Sequence, residues 1–263
     1  WSGTQQIPWD VIVPAAAELL VEAGATVRFA AEDLSLRGRS PGFTELVVEG
    51  GLVVRGSAAA PAAFTIDSQD RSELWSGVQL VEGGTVDAEG LTLTQAGVGF
   101  AGDVTDGFRL ADSRLSRLTT GLRLTLFDDA TVDRVDLRTI TTNAINVSGF
   151  GTLRLRNSVV EGNGREGVVV NNAGLLVIDS RISGNGLLDD EDPRSGLVAD
   201  GGRGQRIEMW NTAVDGNRLH GIDLGSWEGI FELHGSTVIG NRGDGLRADG
   251  AERIVLEEVE VSR

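Results

Sequence analysis

Apolar and polar residues alternate with a period of two in short segments along most of the chain, the pattern of β-strands that bury one face. From Gly77 onward a four-residue pattern recurs, in which glycine or alanine precedes an apolar, a variable and a second apolar residue. Its copies begin at residues 77, 97, 121, 144, 167, 196, 221 and 245, so they lie 20 to 29 residues apart. A strand that returns at such intervals predicts a solenoid with one copy of the pattern per coil.

Two further strands follow the first in most coils. The second strand alternates in the same way, for example at residues 108–113, 153–158 and 207–212. It ends in residue types that tolerate a left-handed backbone, namely Asn157, Asp179, Asn211 and Gly235. The third, shorter strand leads into a Gly-Asn turn in four coils, and this turn predicts a ladder of stacked side chains formed by Asn163, Asn185, Asn217 and Asn241.

These patterns predict an all-β fold, a single-stranded parallel β-helix with three short strands per coil. At about 24 residues per coil the 263 residues give roughly 11 coils. With about 4.8 Å between coils, the rod would be on the order of 50 Å long. We expect one domain over 1–263, in which 1–75 form less regular coils, 76–263 form regular coils, and 187–195 form an inserted acidic loop.

The charge balance excludes several partners. Acidic residues number 39 against 23 basic ones, for a formal net charge of -16, and every basic residue is arginine. Nucleic acid and anionic membranes would therefore be repelled, so we expect no nucleic-acid partner. No apolar run is long enough to span a bilayer, and the absence of cysteine excludes disulfides and thiolate chemistry.

The chain resembles a known family in segments that cover nearly its whole length. These segments are WDVIVPAAAELLVEAGATVRFA, LWSGVQLVEGG, GNGREGVVV, GNRLHGIDL and GNRGDGLRA. They are similar to the right-handed parallel β-helix repeat proteins of the pectate-lyase-like superfamily, particularly the bacterial surface-protein branch. The resemblance implies a right-handed rod at the cell surface or outside the cell. It does not fix the activity, because the superfamily includes lyases, hydrolases, epimerases, adhesins and structural rods.

Catalytic groups on such a scaffold would lie on an outward face. The outward positions of the first strand are predicted to be Gln79, Gly99, Arg123, Asn146, Val169, Val198, Asp223 and Arg247, a mixed column without a carboxylate cluster. The best constellation for catalysis is a group near the carboxyl end, formed by Asp223, His220, Asp244 and Arg247. An aspartate there would act as acid or base and the histidine as proton carrier, with Arg247 holding a sugar carboxylate. A surface charge ladder without chemistry is the favoured interpretation.

Two other groups are candidates for ligand binding. An outward column of the second strand is predicted to run through Arg156, Ile178, Trp210, His234 and Glu257, and we also place Trp227 near this face. Indole rings there could stack on sugars, or Trp210 could cover Ile178. Four consecutive acids could bind calcium through their carboxylates, although a solvated loop is favoured: Asp189, Asp190, Glu191 and Asp192. Apart from that calcium, we expect no cofactor.

The function favoured by the sequence is a non-enzymatic extracellular or cell-surface β-helix, a structural or interaction module of a larger protein or assembly. Neither end of the rod carries a clear polar cap, so flanking domains or protein partners are expected there. The alternatives are a carbohydrate-active enzyme, a lyase or hydrolase acting on an acidic polysaccharide, and a glycan-binding domain. Apart from protein partners, a polysaccharide is therefore the expected ligand.

Overall fold

The strands wind into a right-handed parallel β-helix with three faces. The computed structural model describes residues 1–33, 39–40, 42–68, 70, 72–81, 83–188 and 194–263. Every strand pair in this part of the chain is parallel, and each strand between the first and last coils bonds to the equivalent strands one coil before and one coil after it, as β14 does through Leu137 to Leu115 and Val160. A solenoid achieves parallel pairing in this way because each strand returns one turn later above its predecessor. No helix in the described ranges is long and apolar enough to cross a bilayer.

The strands divide among the three faces in a fixed order along each coil. The first face contains β2 (Val11–Val13), β5 (Glu45–Val48), β8 (Gly77–Leu80), the second half of β10 (Leu91–Val104), the second half of β12 (Arg114–Leu126), β15 (Ile145–Gly149), β18 (Val168–Asn171), β21 (Leu197–Gly201), β24 (Ile222–Trp227) and β27 (Leu246–Ala248). The second face contains β3 (Glu18–Val21), β6 (Gly51–Arg55), β9 (Thr85–Glu89), β11 (Phe108–Ala111), β13 (Ala130–Asp133), β16 (Thr152–Arg156), β19 (Gly174–Ile178), β22 (Arg206–Trp210), β25 (Ile230–His234) and β28 (Arg253–Glu257). The third face contains β1 (Thr4–Ile7), β4 (Thr26–Phe29), β7 (Ala62–Ile66), the first halves of β10 and β12, β14 (Asp136–Ile140), β17 (Val159–Glu161), β20 (Arg181–Ser183), β23 (Ala213–Asp215), β26 (Thr237–Ile239) and β29 (Glu260–Val261).

The number of coils agrees with the sequence prediction. Within the described residues the first and second faces have ten strands each and the third has eleven, against roughly 11 coils expected. The coils near the amino terminus are longer. Leu46 lies 35 residues after its partner Val11 and Val78 lies 32 after Leu46, whereas Leu137 follows Leu115 by 22.

Side chains that point inward stack into continuous apolar columns along the axis. Leu122, Ile145 and Val168 occupy matching positions of three successive coils, and all three are fully buried. Near the amino terminus Trp75 fills the core, with its indole stacked on Phe29 at a centroid distance of 4.0 Å and edge-on to Phe64. Such burial of large apolar side chains is the main contribution to the stability of the rod.

The turn from the second face to the third uses one left-handed residue per coil, as the sequence predicted. Asn157, Asp179, Asn211 and Gly235 have φ between 48° and 55°. A short polar side chain or a glycine accepts this conformation at low cost. The sequence did not indicate that Arg134 and Glu258, both with φ of 54°, take the same role.

The predicted outward column of the first face is wrong at one position. Gln79 pairs with Ala101 and Ala101 pairs with Arg123, so Ala101 occupies the place assigned to Gly99. The reason is that β10 runs without interruption around the corner from the third face to the first. The glycine pattern at residue 97 therefore marks the corner, and the pairing strand begins three residues later.

Candidate functional site

The group near the carboxyl end forms two separate pairs. Arg247 lies beside Asp223 across adjacent coils, with 3.7 Å between Nη1 and Oδ2, and it also pairs with Asp249 at 3.1 Å. Asp244 lies beside His220, with 3.5 Å between Oδ2 and Nδ1. His220 precedes Asp223 by three residues, roughly 10 Å along the strand. The four predicted residues are therefore on adjacent coils, but they do not converge on one point.

His220 is poorly placed to carry protons. Its Nδ1 accepts a hydrogen bond from the backbone N–H of Asp244 at 3.0 Å, and its side chain is only 13% exposed. A nitrogen that accepts a backbone N–H has no free lone pair for a substrate proton. The bond to Asp244 thus gives the imidazole a structural role in joining two coils.

The column on the second face has the predicted register. Arg156, Ile178, Trp210, His234 and Glu257 are successive partners in the parallel ladder. The indole of Trp210 stacks on the imidazole of His234 at 3.9 Å and an interplanar angle of 11°. His234 is 8% exposed and its Nδ1 lies 3.0 Å from Oε2 of Glu257. Trp210 is 40% exposed, so part of its indole remains accessible beside the stacked imidazole.

The assignment of Trp227 to this surface is wrong. Its side chain is fully buried at the end of β24, and its Nε1 donates to the carbonyl of Ile230 at 3.4 Å. The φ of Gly202 is 77°, and a Cβ at that position would overlap the indole. Trp227 therefore packs in the core under a glycine turn and has no surface to offer a ligand.

The four turn asparagines form a continuous ladder. In three successive steps, the Oδ1 of one asparagine accepts both the backbone N–H and the side-chain Nδ2–H of the asparagine one coil earlier. Each Nδ2 also donates to a backbone carbonyl of the coil before it. All four side chains are buried, so these bonds satisfy polar groups that would otherwise lose their partners. The ladder holds the coils in register.

No metal site is found among the described residues, because no three of their His, Asp or Glu side chains converge. The predicted calcium ligands Asp189, Asp190, Glu191 and Asp192 lie outside these residues. The rest of the inserted loop is described up to Leu188 and from Arg194 onward.

Several surface carboxylates are neutralised by arginines of a neighbouring coil. Arg134 donates two hydrogen bonds to Asp112 and thereby lowers the pKa of that carboxyl below its usual value. Burial raises the pKa of Asp87, but the hydrogen bonds from Arg109 and Arg55 outweigh burial and lower it. Such inter-coil pairs balance much of the acidic surface locally.

Arg123 on the first face is an exception to this pairing. Its guanidinium is exposed and makes no ion pair or hydrogen bond with any residue that the structure describes. It lies at one side of an open groove of about 340 Å³ near the third-to-first-face corner. The groove is lined by Ser40, Phe43, Leu74, Trp75, Ser76, Gln79, Gly97, Val98, Thr119, Thr120 and Arg123.

The groove combines an aromatic ring with hydroxyl and amide groups. Phe43 is 51% exposed, a large value for a phenyl ring. The hydroxyl of Ser76 donates to Ser40 at 2.9 Å, and the hydroxyl of Thr120 bonds to that of Thr142 at the same distance. Sequence analysis identified Arg123 only as one member of a mixed column. In the first-face ladder Ala101 lies between Gln79 and Arg123, and the sequence pattern did not indicate this pairing.

Comparison with known proteins gives the following matches. A family model described as a right-handed β-helix region matches residues 120–263. No curated protein matches the chain. The solved structure of pectate lyase Pel9A aligns with a TM-score of 0.62 at 15% identity, over 99% of this chain and 78% of that one. A variant of the periplasmic alginate epimerase AlgG aligns with a TM-score of 0.58 at 13% identity, over 98% of this chain and 76% of that one. At such identities the likeness concerns the fold alone.

Proposed function

Because the chain belongs to the right-handed β-helix family, whose fold is compatible with many activities, we propose a function from the surface. The proposal is that the protein is a non-catalytic module of an extracellular or cell-surface protein that binds oligosaccharides in the first-face groove. The observation that carries it is the exposed guanidinium of Arg123, which has no ion pair with a described residue and lies in the same groove as the exposed ring of Phe43.

The chemistry of the groove fits a sugar that carries a carboxylate. A guanidinium binds a carboxylate through two parallel N–H bonds, which makes arginine the preferred partner for such groups. The Phe43 ring offers an apolar face for the C–H groups of a pyranose. Gln79 and the hydroxyls of Ser76 and Thr120 supply donors and acceptors for sugar hydroxyls. The fitting ligand is an oligosaccharide that contains uronic acid.

The composition of the groove supports binding without cleavage. Arg123 is the one ionisable side chain among its described lining residues, which include no aspartate, glutamate or histidine. Hydrolysis of a glycosidic bond ordinarily requires a pair of carboxyl groups. Proton transfer needs a group within hydrogen-bond reach of the reacting atom. The groove thus has the means to hold a sugar, and its described lining residues offer no acid and base pair.

Calorimetric titration tests the proposal. Two of the solved structures with the same fold are named for pectate and alginate, so tetragalacturonate and tetramannuronate are the first ligands to try, with a neutral tetrasaccharide as comparison. We expect Arg123→Gln to weaken binding of the acidic tetramers at this groove by at least about tenfold, since one charge-assisted contact is lost. Arg242→Gln, an exposed arginine elsewhere, is the matched control. Unchanged affinity in Arg123→Gln would reject the site.

A second candidate function rests on the ion pair between Arg247 and Asp223 on the same face. It is a lyase or hydrolase acting on an acidic polysaccharide near the carboxyl end of the rod. Incubation with polygalacturonate and alginate, with and without calcium, would show it through unsaturated products or new reducing ends. Asp223→Ala should then abolish activity while circular dichroism shows the variant to be folded. If cleavage occurs and this variant keeps full activity, the assignment to Asp223 is wrong.

A further inference from the structure

The second face has a furrow that runs along β19. The outward side chains of this strand are Gly174, Leu176 and Ile178. The strands on either side carry longer outward side chains: Arg154 and Arg156 on β16, and Arg206, Glu208 and Trp210 on β22. Because the outward side chains of β19 are shorter than those of β16 and β22, they leave a channel between these two strands. The channel is about two strand spacings wide, roughly 10 Å, and roughly 16 Å long. We call this channel the β19 furrow.

A cavity of about 350 Å³ occupies the Gly174 end of the furrow. A Cβ at Gly174 would lie 2.7 Å from the hydroxyl of Thr152, so the absence of a side chain keeps this end of the furrow open. Leu176 is half-buried and forms an apolar floor. The cavity is open and lies on a different face of the rod from the groove at Arg123.

The indole of Trp210 stands at the other end of the furrow. His234 covers one of its faces, and Ile178 on the floor is its neighbour on the opposite side. The hydrogen bond from His234 to Glu257 fixes the imidazole and hence the orientation of the indole. The exposed part of Trp210 therefore borders the furrow beside Ile178, where it can contact the C–H face of a sugar.

Most charged side chains of the furrow form ion pairs, and the one that forms none with a described residue is an arginine. Arg154 pairs with Asp129, and Arg206 pairs with Glu208 and Glu232. Arg156 is exposed and makes no ion pair within the described part of the chain. By contrast, the hollow of about 550 Å³ on the far side of Trp210 is bordered by Glu257 and Glu258 and would repel an anion. A carboxylate ligand is therefore expected on the Arg156 side.

We propose that the β19 furrow is a second binding site for oligosaccharides that contain uronic acid, with the sugar chain lying along β19. The carboxylate bonds to Arg156 and a pyranose packs on Trp210 and Ile178. The ligand class rests on the proposed function of the first-face groove. Two sites on different faces allow one molecule to bind two polysaccharide chains, so that the protein cross-links them.

The stoichiometry of tetragalacturonate and tetramannuronate binding, measured by calorimetry, tests this inference. We expect two molecules of the bound tetramer per wild-type chain, one for Arg123→Gln, one for Arg156→Gln and none for the double variant. Trp210→Ala should lose the same site as Arg156→Gln. Arg242→Gln should keep both sites. With high-molecular-weight polymer, light scattering should show large complexes for the wild type and not for either single arginine variant.

The outcomes separate the two proposals. A single site that disappears in Arg123→Gln and persists in Arg156→Gln would overturn the furrow and leave the proposed function intact. A site that disappears in Arg156→Gln, with Arg123→Gln unchanged, would support the furrow and reject the first-face groove. Absence of binding by both tetramers would overturn both proposals.

Discussion

Asn185 shows how single side chains hold this fold together. Its Oδ1 accepts from the backbone N–H and Nδ2 of Asn163, and its own Nδ2 donates to the carbonyl of Val160 and to Asn217. The residue is fully buried, so water cannot replace these partners. Its amide joins three coils at once.

Replacing Asn185 with alanine should therefore be strongly destabilising. The change leaves buried donors and an acceptor without partners, and we expect the free energy of unfolding to fall by about 2–4 kcal/mol. Urea denaturation followed by circular dichroism measures this loss. The control is Asn146→Ala, an outward asparagine of β15, which should change stability by less than about 0.5 kcal/mol. Equal effects of the two substitutions would argue against the ladder as a source of stability.

Residue types at turns could be predicted from the sequence where the type itself carries the conformation. Asparagine in a repeated Gly-Asn context indicates a stacked ladder, and Asn157 or Asp179 indicates a left-handed backbone. Thr139 has a φ of 57° and gives no such signal, because β-branched residues disfavour that region. Its conformation follows from the coils on either side and not from its own preference.

At the scale of strands and turns, ion pairs between neighbouring coils make stability depend on pH. Asp112 and Arg134 occupy the left-handed turn of successive coils, where two hydrogen bonds lower the pKa of Asp112 below 3.8. A native pKa below the unfolded value stabilises the fold above pH 4. The stabilisation is lost as the pH falls through the native pKa.

Asp112→Asn tests this pair, because asparagine also accepts the left-handed backbone. The melting temperature of the variant should lie below that of the wild type at pH 7. The loss in free energy of unfolding should be less than about 1 kcal/mol, because both side chains are partly exposed. The difference should shrink as the pH approaches 2. Thermal melts across this range measure it. Asp103→Asn, an exposed carboxylate without an arginine partner in the described chain, should show no such trend. A constant difference for Asp112→Asn at all pH values would contradict the assignment.

The corner in β10 explains why the candidate groove could not be derived from the sequence. The repeated glycine pattern places residue 97 opposite residue 77, whereas the strands pair Val78 with Phe100. The shift arises because β10 turns the corner within one strand, at Gln95 with a φ of 56°, and glutamine does not signal a left-handed turn in the sequence. As a result the pairing of Ala101 with Gln79 and Arg123 could not be derived from the sequence. The regular column on the second face needed no such information and was predicted correctly.

At the scale of the whole molecule, the apolar core is exposed at the last coil. Leu256 is 44% exposed and Ile254 is 41% exposed, whereas their partners Leu233 and Phe231 in the coil before are fully buried. Stability in a solenoid depends mainly on contacts between neighbouring coils. Among the described residues, β28 pairs with β25 alone, so in this 263-residue chain its coil is expected to open before the coil of β25.

Leucine-to-alanine substitutions at equivalent positions of the last two coils measure this difference in stability. Leu233→Ala should lower the free energy of unfolding by about 2–5 kcal/mol, since it removes buried methyl groups and leaves a cavity. Leu256→Ala should cost less than about 1 kcal/mol. Chemical denaturation gives both values, and hydrogen exchange should be faster at β28 than at β25. Equal costs would show that the last coil is covered in solution.

The repeat pattern determined the architecture because every coil carries the same strand and turn signals. Binding surfaces depend on how side chains of three or more coils combine, and one coil's sequence does not report this. Arg123 and Phe43 are 80 positions apart in the chain and share one groove. The sequence could therefore indicate a rod with an aromatic column. The positions of Arg123 in the first-face groove and of Arg156 beside the β19 furrow required the structure.

The stacking of coils along the rod also has a mechanical consequence. Leu115 and Leu137, at equivalent positions of adjacent coils, are 22 residues apart. Tension applied along the rod would detach coils singly, because each coil is held by its immediate neighbours. Each detached coil would release roughly 75 Å of extended chain. The rod would then lengthen stepwise under load, with larger steps for the longer coils near the amino terminus than for this one.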